Sequence, residues 1–323
     1  MSRLTLALML SIALTATASA ETLKLYTSQP NEDAQKTVDA FEAANPGISV
    51  EWVRDGTTQL MTRMAAEMAA GAGQPDVLLI ADTVTLEGLA QDGKLAVYAS
   101  PEAAAYDPAL YSAEGYYHST KLITTGIAYN TGVSLIPTSW SDLEKPEYKG
   151  LIASPSPLYS GAALIHLAAL TNNLALGWHH YEALAANEIL ADGGNGGVLK
   201  AVASGEKPYG ILVDYMALRA KADGSPIDFV FPTEGATYVT EPVAIMAGAA
   251  NVDAAHKFVD FVLSEAGQQL VADMGYIPAR NGVASPEGFP SRDSLKLMQF
   301  DAAKALADTD ANKARFSEMF GVQ

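Results

Sequence analysis

The 323-residue chain has no cysteine, few basic side chains and no long apolar run after its first twenty residues. Without cysteine it can form no disulfide, thiolate zinc site, iron–sulfur cluster or thiol nucleophile. Its 20 Lys and Arg face 37 Asp and Glu, a net charge of −17. Such an acidic chain is poorly suited to the phosphate backbone of nucleic acids, although a small anionic ligand needs only a few local donors.

The apolar content of the chain is high enough for folded cores. Hydrophobic residues make up 49% of the sequence, which argues against a disordered chain. The length is typical of two domains, at roughly 100–200 residues for each domain.

The first twenty residues have the pattern of a secretory signal. Arg3 precedes a short apolar run from Leu4 to Ala18, and Ala18-Ser19-Ala20 fits a small-x-small cleavage site. The run is shorter than the ~20 apolar residues that a membrane span needs. We therefore expect cleavage before Glu21 and export of a soluble product, and export without cysteine favours a bacterial periplasm.

Predicted strands and helices alternate along the first hundred residues. The strand patterns lie at 22–27, 48–53 and 76–80, and the helix patterns at 32–44, 59–70 and 83–91. This order predicts a parallel sheet covered by helices, an α/β fold. Later strands are predicted at 123–129, 151–153, 209–213, 229–231 and 238–246, and later helices at 162–170, 198–204, 254–263, 264–274 and 293–307. Because no linker separates two halves, we expect the backbone to cross between two domains more than once.

Several segments carry a resemblance to a known family. They are LYTSQPNEDAQKTVDAFEAANPGISVEW, GQPDVLLIADTVTLEGLAQDGKL, EKPEYKGLIASPSPLYSGAALIHLAAL, VLKAVASGEKPYGILVDY and EPVAIMAGAANVDAAHKFVDFVLSEAGQQLVADMGYIPAR. Together they cover nearly all of residues 22–285, and the chain resembles the periplasmic substrate-binding proteins of ABC importers.

The resemblance implies a two-lobed, type II periplasmic binding protein fold with ligand in the cleft between two α/β lobes. Lobe 1 would comprise 21–128 plus 242–323 and lobe 2 would comprise 129–241, with crossings at Tyr129-Asn130 and Thr240-Glu241. Such a protein is a monomer that closes on a small molecule and docks on the permease subunits in the membrane. It is not an enzyme and carries no cofactor.

Within that family the chain is most similar to the ferric-iron and phosphonate-type clusters. Ferric-binding relatives carry paired adjacent tyrosines, often with an early histidine, because phenolate oxygen suits a hard cation. Here Val213-Asp214-Tyr215-Met216 holds one tyrosine, and the loop Ser28-Gln29-Pro30-Asn31 holds no histidine. The segment GEKPYGILVDYMALRAKADGSPIDFVFP resembles binding proteins for 2-aminoethylphosphonate, which is the expected ligand.

Ferric iron remains the alternative ligand, held by Tyr215, Tyr209 or Tyr238, and phosphate esters and polyamines stay open. A receptor that signals to a membrane sensor instead of feeding a transporter is equally compatible with the chain.

Three junctions between a loop and a helix could hold the phosphonate group. They are Gly56-Thr57-Thr58, Ser160-Gly161-Ala162 and Gly194-Asn195-Gly196. A helix N-terminus offers N–H groups and a positive dipole to an anion, without Lys or Arg. The same residue types are also ordinary helix caps, and a cap can still contact a ligand.

The other candidates follow predicted strands, where ligands of open α/β sheets bind. They are Ser28 and Gln29, Asp82 and Thr83, and Asp214 and Tyr215. We expect Asp214 or Asp82 to pair with the ligand ammonium, while Asp82 could instead cap the next helix. Glu241, at the second crossing, is a weaker candidate.

The sequence gives little support to metal binding or catalysis. The five histidines are scattered without an H-E-x-x-H motif, so no metal site is predicted. No G-x-S-x-G motif is present, and Ser160 has no base that the sequence reveals, so a secreted hydrolase on the same frame is the less favoured alternative. The glycines at 193–197 are not followed by G-K-[ST], which argues against a nucleotide site.

Overall fold

The computed structural model of the protein describes residues 21–322. The expected signal segment, residues 1–20, and the terminal Gln323 lie outside the described residues. Between Glu21 and Val322, no helix combines the length and apolar character that a membrane crossing requires.

Twelve strands and ten α-helices are described. The strands are β1 (Glu21–Thr27), β2 (Ile48–Arg54), β3 (Val77–Leu79), β4 (Tyr117–Ser119), β5 (Lys121–Asn130), β6 (Ile152–Ser154), β7 (Leu190–Ala191), β8 (Tyr209–Val213), β9 (Ile227–Val230), β10 (Thr237–Val239), β11 (Pro242–Ile245) and β12 (Ile277–Pro278). The helices are α1 (Asn31–Ala44), α2 (Thr57–Ala69), α3 (Thr83–Gln91), α4 (Gly161–Thr171), α5 (Gly177–Ala186), α6 (Asn195–Ser204), α7 (Asp214–Ala222), α8 (Val252–Leu263), α9 (Glu265–Asp273) and α10 (Ala302–Phe320).

The first sheet, on which we define lobe 1, has the strand order β2-β1-β3-β11-β4. β1 pairs in parallel with β2 and β3, whereas β11 runs antiparallel to β3 and β4. The predicted βαβαβα order of the first hundred residues is thus confirmed. The strand β3 is wholly buried, as expected for a parallel strand with helices on both faces. Phe41 of α1 and Phe258 of α8 close one side of this core with ring centroids 5.0 Å apart.

The second sheet, on which we define lobe 2, has the order β10-β5-β8-β6-β7, and β9 and β12 also pair with β5. Its ten-residue strand β5 is buried for most of its length and is the one to which most neighbours attach. The core beneath it is rich in aromatic residues, among them the fully buried Trp140 and Tyr148. The two helices α5 and α7 were missed by the sequence patterns, because neither has a well-defined apolar face.

The backbone passes between the sheets at two adjacent places. It leaves the first sheet after β4, at Thr120, and returns between β10 and β11, at Thr240 and Glu241. The N–H groups of Thr120 and Lys121 both donate to the carbonyl oxygen of Thr240, at 3.1 and 3.2 Å. The return crossing runs between β10 and β11, so the single strand predicted at 238–246 is two strands that belong to different sheets. The first crossing falls at Thr120 and not at Tyr129-Asn130, because all of β5 pairs within the second sheet.

The C-terminal helix differs from its prediction. A helix was expected at 293–307, but α10 begins at Ala302, where the Asp301 carboxylate accepts a hydrogen bond from the Lys304 N–H at 2.9 Å. The preceding segment is not α-helical, and Leu297 pairs there with Ala236 of lobe 2. α10 packs on α3 of lobe 1 and on α4 and α5 of lobe 2, so it does not belong to lobe 1 alone.

We expect Asp301→Ala to lower the free energy of unfolding by about 1 kcal/mol, because a helix N-cap contributes about that much. Urea denaturation followed by circular dichroism measures the change. Asp301→Ser, which keeps a capping oxygen, is the matched control and should stay within a few tenths of a kcal/mol of wild type. Equal losses for both variants would show that α10 does not depend on this cap.

Candidate functional site

A cavity of about 530 Å³ lies between the two lobes. Lobe 1 lines it with residues at or just after the ends of β1, β2 and β3 and with the first residues of α1 and α2. Lobe 2 lines it with the first residues of α4, α6 and α7 and with residues of β5, β8 and β10. The position at the carboxyl ends of parallel strands is the usual ligand position in α/β sheets.

Five of the helices described between Glu21 and Val322 begin at this cavity. The wall includes Asn31 of α1, Thr57 of α2, Gly161 of α4, Asn195 of α6 and Tyr215 of α7. A helix N-terminus carries roughly half a positive charge and several N–H groups without an intrahelical partner. Within residues 21–322, no side chain caps α1, α2 or α6, although the Gly197 N–H of α6 donates to the carbonyl oxygen of Gly194 at 3.1 Å. The cavity is therefore electrically suited to an anion.

The hydroxyl of Thr57 is the most informative polar group on the wall. The residue is 2% exposed, and Oγ1 has no hydrogen-bond partner within the described part of the chain. A buried hydroxyl without a partner costs about 1–3 kcal/mol. A ligand oxygen at the N-terminus of α2 would relieve that cost.

Three further polar residues of the wall are positioned by hydrogen bonds. Ser160 caps α4 by accepting from the Ala163 N–H at 3.3 Å, and Asn195 donates to the Ser160 hydroxyl at 3.4 Å. The Ser28 hydroxyl accepts from the Ala81 N–H at 2.8 Å. These side chains line the cavity while they fix the loops that form it.

Two charged residues on the wall were not among the leading sequence candidates. Arg54, at the end of β2, donates from Nε to the carbonyl oxygen of Gln29 at 2.9 Å. The rule that selected Ser28 and Asp82, the carboxyl end of a parallel strand, would also have selected Arg54. The second residue is Glu241, which the sequence ranked as a weaker candidate.

Glu241 forms a buried ion pair with Lys121. The two side chains are 3% and 1% exposed, and the Lys121 ammonium also lies 4.1 Å from the centre of the Tyr276 ring. Gln29 donates from Nε2 to Oε2 of Glu241 at 3.4 Å. Burial raises the pKa of the Glu241 carboxyl, while Lys121 opposes that rise. The backbone of Glu241 has φ = 37°, a left-handed conformation that is uncommon for a residue other than glycine.

Asp82 and Asp214 do not line the cavity. The Asp82 carboxylate accepts from the N–H groups of Val84 and Thr85 at 2.9 and 3.1 Å, and so caps α3. The Asp214 carboxylate accepts from the Thr124 N–H at 3.1 Å and the Thr124 hydroxyl at 2.7 Å, and its burial raises its pKa to about 6. The expected pairing of either acid with a ligand ammonium is therefore not supported by its position.

Three other candidates also lie off the wall, and the reason is local geometry. Gln29, Thr58 and Thr83 do not line the cavity, whereas Ser28, Thr57, Ser160, Gly161, Ala162, Asn195 and Tyr215 do. Neighbouring residues point in different directions in strands and helices, so Gln29 and Thr58 face away while Ser28 and Thr57 face the cavity, and both Asp82 and Thr83 lie off the wall. Gln29 instead reaches Glu241 from behind the wall.

The two lobes touch each other around the cavity. The Tyr159 hydroxyl of lobe 2 donates to the Asp55 carboxylate of lobe 1 at 3.2 Å, and Arg219 of α7 pairs with Asp33 of α1 at 2.9 Å. A Cβ placed on Gly161 would lie 2.7 Å from Cβ of Asp82 and 2.8 Å from the carbonyl oxygen of Ala81. The structure is therefore the closed form, and a glycine permits the close approach of the lobes.

Metal-binding groups are sparse at the site. Across the described residues, no three or more His, Asp and Glu side chains gather as they would around a metal ion. Tyr215 and Tyr159 lie on the wall, but burial raises the pKa of Tyr215 and so favours its phenol over its phenolate. Of the other tyrosines considered for iron, Tyr209 donates its hydroxyl to the carbonyl oxygen of Leu135 at 2.7 Å, and Tyr238 does not line the cavity.

Comparison with known sequences gives a family match and several relatives. The family described as "Bacterial extracellular solute-binding protein" matches residues 27–269, which is more than half of the chain. An uncharacterized protein of Haemophilus influenzae is 31% identical over 217 residues, 62% of this chain and 60% of that protein. The spermidine/putrescine-binding periplasmic protein of Escherichia coli is 30% identical over 147 residues, 43% of this chain and 42% of that protein. The matches thus span less than two thirds of the length of these relatives.

Comparison with solved structures identifies the fold. The periplasmic binding protein AfuA from Actinobacillus pleuropneumoniae, determined with exogenous fructose-6-phosphate, has a TM-score of 0.85 and 23% identity, over 94% of this chain and 100% of that one. Iron-bound HitA from Pseudomonas aeruginosa has a TM-score of 0.78 and 23% identity, over 92% and 99% of the two chains. The two-lobed periplasmic binding protein fold predicted from the sequence is thereby confirmed.

We expect Gly161→Ala to disfavour the closed form, because the added methyl group would meet lobe 1 backbone that cannot move independently. Overpacking of this kind costs about 1–3 kcal/mol, so the ratio of closed to open molecules should fall about tenfold. Since the chain has no cysteine, spin labels at Lys36→Cys and Lys200→Cys can report the distance between the lobes by electron paramagnetic resonance.

The control is Gly197→Ala, where an added Cβ on the same cavity wall meets no atom within 4 Å. That variant should keep the distance distribution of the wild type. A Gly161→Ala protein with an unchanged distribution would contradict the contact between the lobes at this position.

Proposed function

We propose that this chain, which belongs to the bacterial extracellular solute-binding proteins, is the periplasmic receptor of an ABC importer and captures 2-aminoethylphosphonate. It binds and releases the ligand without changing a bond, and the closed complex docks on the permease subunits. The observation that carries the proposal is the cavity at which five helices begin, with the unpartnered Thr57 hydroxyl on its wall.

The anion preference follows from local electrostatics and not from the net charge. The N-termini of α1, α2 and α6 carry no side-chain cap from the described residues, and Arg54 adds one full positive charge. The negative charge of Glu241 is compensated by Lys121. A phosphonate group, which offers three acceptor oxygens and carries negative charge, matches this wall.

Polyamines and ferric iron fit the wall less well. A polyamine carries at least two positive charges, and Glu241, already paired, is the only Asp or Glu that the described residues place on the wall. Ferric iron needs several hard anionic ligands, and the wall offers two tyrosines and no histidine among residues 21–322. The hydrolase alternative is weakened in the same way, because the described part of the chain places no histidine on the wall to activate Ser160.

A sugar phosphate is the second candidate, and the volume of the cavity favours it. About 530 Å³ is generous for a small aminophosphonate and lies within the range for larger ligands. Both candidates share the phosphoryl chemistry at the helix N-termini. They differ in the group at the other end, which is an ammonium in one and hydroxyls in the other.

The binding mechanism is closure about the two crossings. A ligand that contacts both lobes binds the closed form better than the open form and shifts the population toward it. Thr57 and Arg54 approach the ligand from lobe 1, whereas Ser160, Asn195 and Tyr215 approach it from lobe 2.

Isothermal titration calorimetry with four ligands tests the function. We expect 2-aminoethylphosphonate to bind and to raise the melting temperature, since a ligand of the native state stabilises it by mass action. Fructose 6-phosphate, putrescine and ferric citrate are the comparison ligands. Binding of putrescine or ferric ion, with no response to either phosphoryl compound, would overturn the proposal.

Thr57→Val tests the anion site itself. The change keeps the shape of the side chain and removes its hydroxyl, so we expect about tenfold weaker binding of 2-aminoethylphosphonate, the value of one hydrogen bond to a charged group. Thr62→Val, the same change five residues later on an exposed face of α2, should bind as wild type does. Equal affinities for all three proteins would remove Thr57 from the site.

A further inference from the structure

We propose that Glu241 is the acid that recognises the ligand, and that it takes the amino group of a zwitterionic phosphonate. This inference rests on the proposed function and names the chemistry at the second end of the ligand. It replaces the expectation that Asp214 or Asp82 has this role.

The position of Glu241 separates it from the other acids near the cleft. It is the one carboxylate that the described residues bring to the cavity wall. The nearby acids are already used by protein donors: Asp33 by Arg219 and Tyr276, and Asp55 by Tyr159 and the Gly56 N–H. A ligand ammonium in this cavity therefore finds a single carboxylate.

Glu241 also retains acceptor capacity. Lys121 and Gln29 both contact Oε2, whereas Oε1 receives no hydrogen bond from any described residue. An ionised carboxylate has about four acceptor positions, so a ligand donor can bind at Oε1 without displacing Lys121. A charge-assisted hydrogen bond of this kind is roughly twice as strong as one between neutral groups.

The pairing with Lys121 determines which class of ligand is accepted. The ion pair is neutral as a whole, and both partners are buried, so neither has bulk water to screen a further charge. A dication would bring two uncompensated charges into the cavity, which is costly in a medium of low dielectric constant. In a zwitterion the charges of the ammonium and the phosphonate largely compensate each other, so the cavity gains little net charge. The phosphonate would face the helix N-termini, and the ammonium would face Glu241.

Glu241 lies in the return crossing between the lobes, where binding of the ligand can influence closure of the cleft. Its backbone is part of the return crossing, and its carbonyl oxygen accepts a hydrogen bond from the Thr120 hydroxyl at 2.7 Å. Its left-handed conformation, at φ = 37°, is unfavourable for a residue other than glycine and persists because its surroundings hold it. A ligand bound to this side chain is thereby attached to the residue that joins the lobes.

The test compares two ligands that differ only in the amine. For Glu241→Gln we expect at least 30-fold weaker binding of 2-aminoethylphosphonate and less than threefold weaker binding of ethylphosphonate, both measured by calorimetry. Because Gln leaves Lys121 buried without its partner, the double variant Lys121→Met/Glu241→Gln is measured as well. It should show the same selective loss. A thermal melt of each variant checks that it is folded.

Asp214→Asn represents the rival assignment and should change the two affinities by the same factor. Equal losses for both ligands in Glu241→Gln and in the double variant would overturn the inference and leave the proposed function standing. A selective loss of 2-aminoethylphosphonate in Asp214→Asn would also overturn it. If wild type binds neither phosphonate, the proposed function and this inference fail together.

Discussion

The closed form is organised around one buried contact region, where the two crossings of the backbone lie side by side. The carbonyl oxygen of Thr240 accepts hydrogen bonds from the N–H groups of both Thr120 and Lys121. The Lys121–Glu241 ion pair joins the same two segments through their side chains. Because these contacts fix the two crossings together, each lobe can move as a unit, and the geometry of the cavity depends on a short length of chain.

The acidity of the chain and the proposed anion site are compatible because the two are separated in space. Most of the carboxylates are exposed or are held by protein donors, whereas the wall draws its positive potential from backbone N–H groups and Arg54. Backbone dipoles do not change the net charge, so an acidic protein can present a positive cavity at no cost to its solubility.

The sequence was sufficient for the fold class and for part of the wall. The loop–helix junctions named Thr57, Ser160 and Asn195, which lie on the wall because each stands at or directly before the first residue of a helix that begins there. The role of an acidic residue, in contrast, can depend on contacts with residues that are distant in the sequence. Asp214 follows a buried strand as expected, but Thr124 of the neighbouring strand occupies its carboxylate, and such pairing cannot be read from spacing. The helices α5 and α7 were missed altogether, because neither has the well-defined apolar face that a sequence pattern can reveal.

The helix α10 contacts both lobes at once. It rests on α3 of lobe 1 and on α4 of lobe 2, and its residue Leu306 packs against Gly88. The lobes also meet through the Tyr159–Asp55 hydrogen bond, which is far easier to break than the burial of a helix face. Opening of the cleft would break that hydrogen bond at small cost, whereas it would also have to rearrange the packing of α10 on one of the two lobes.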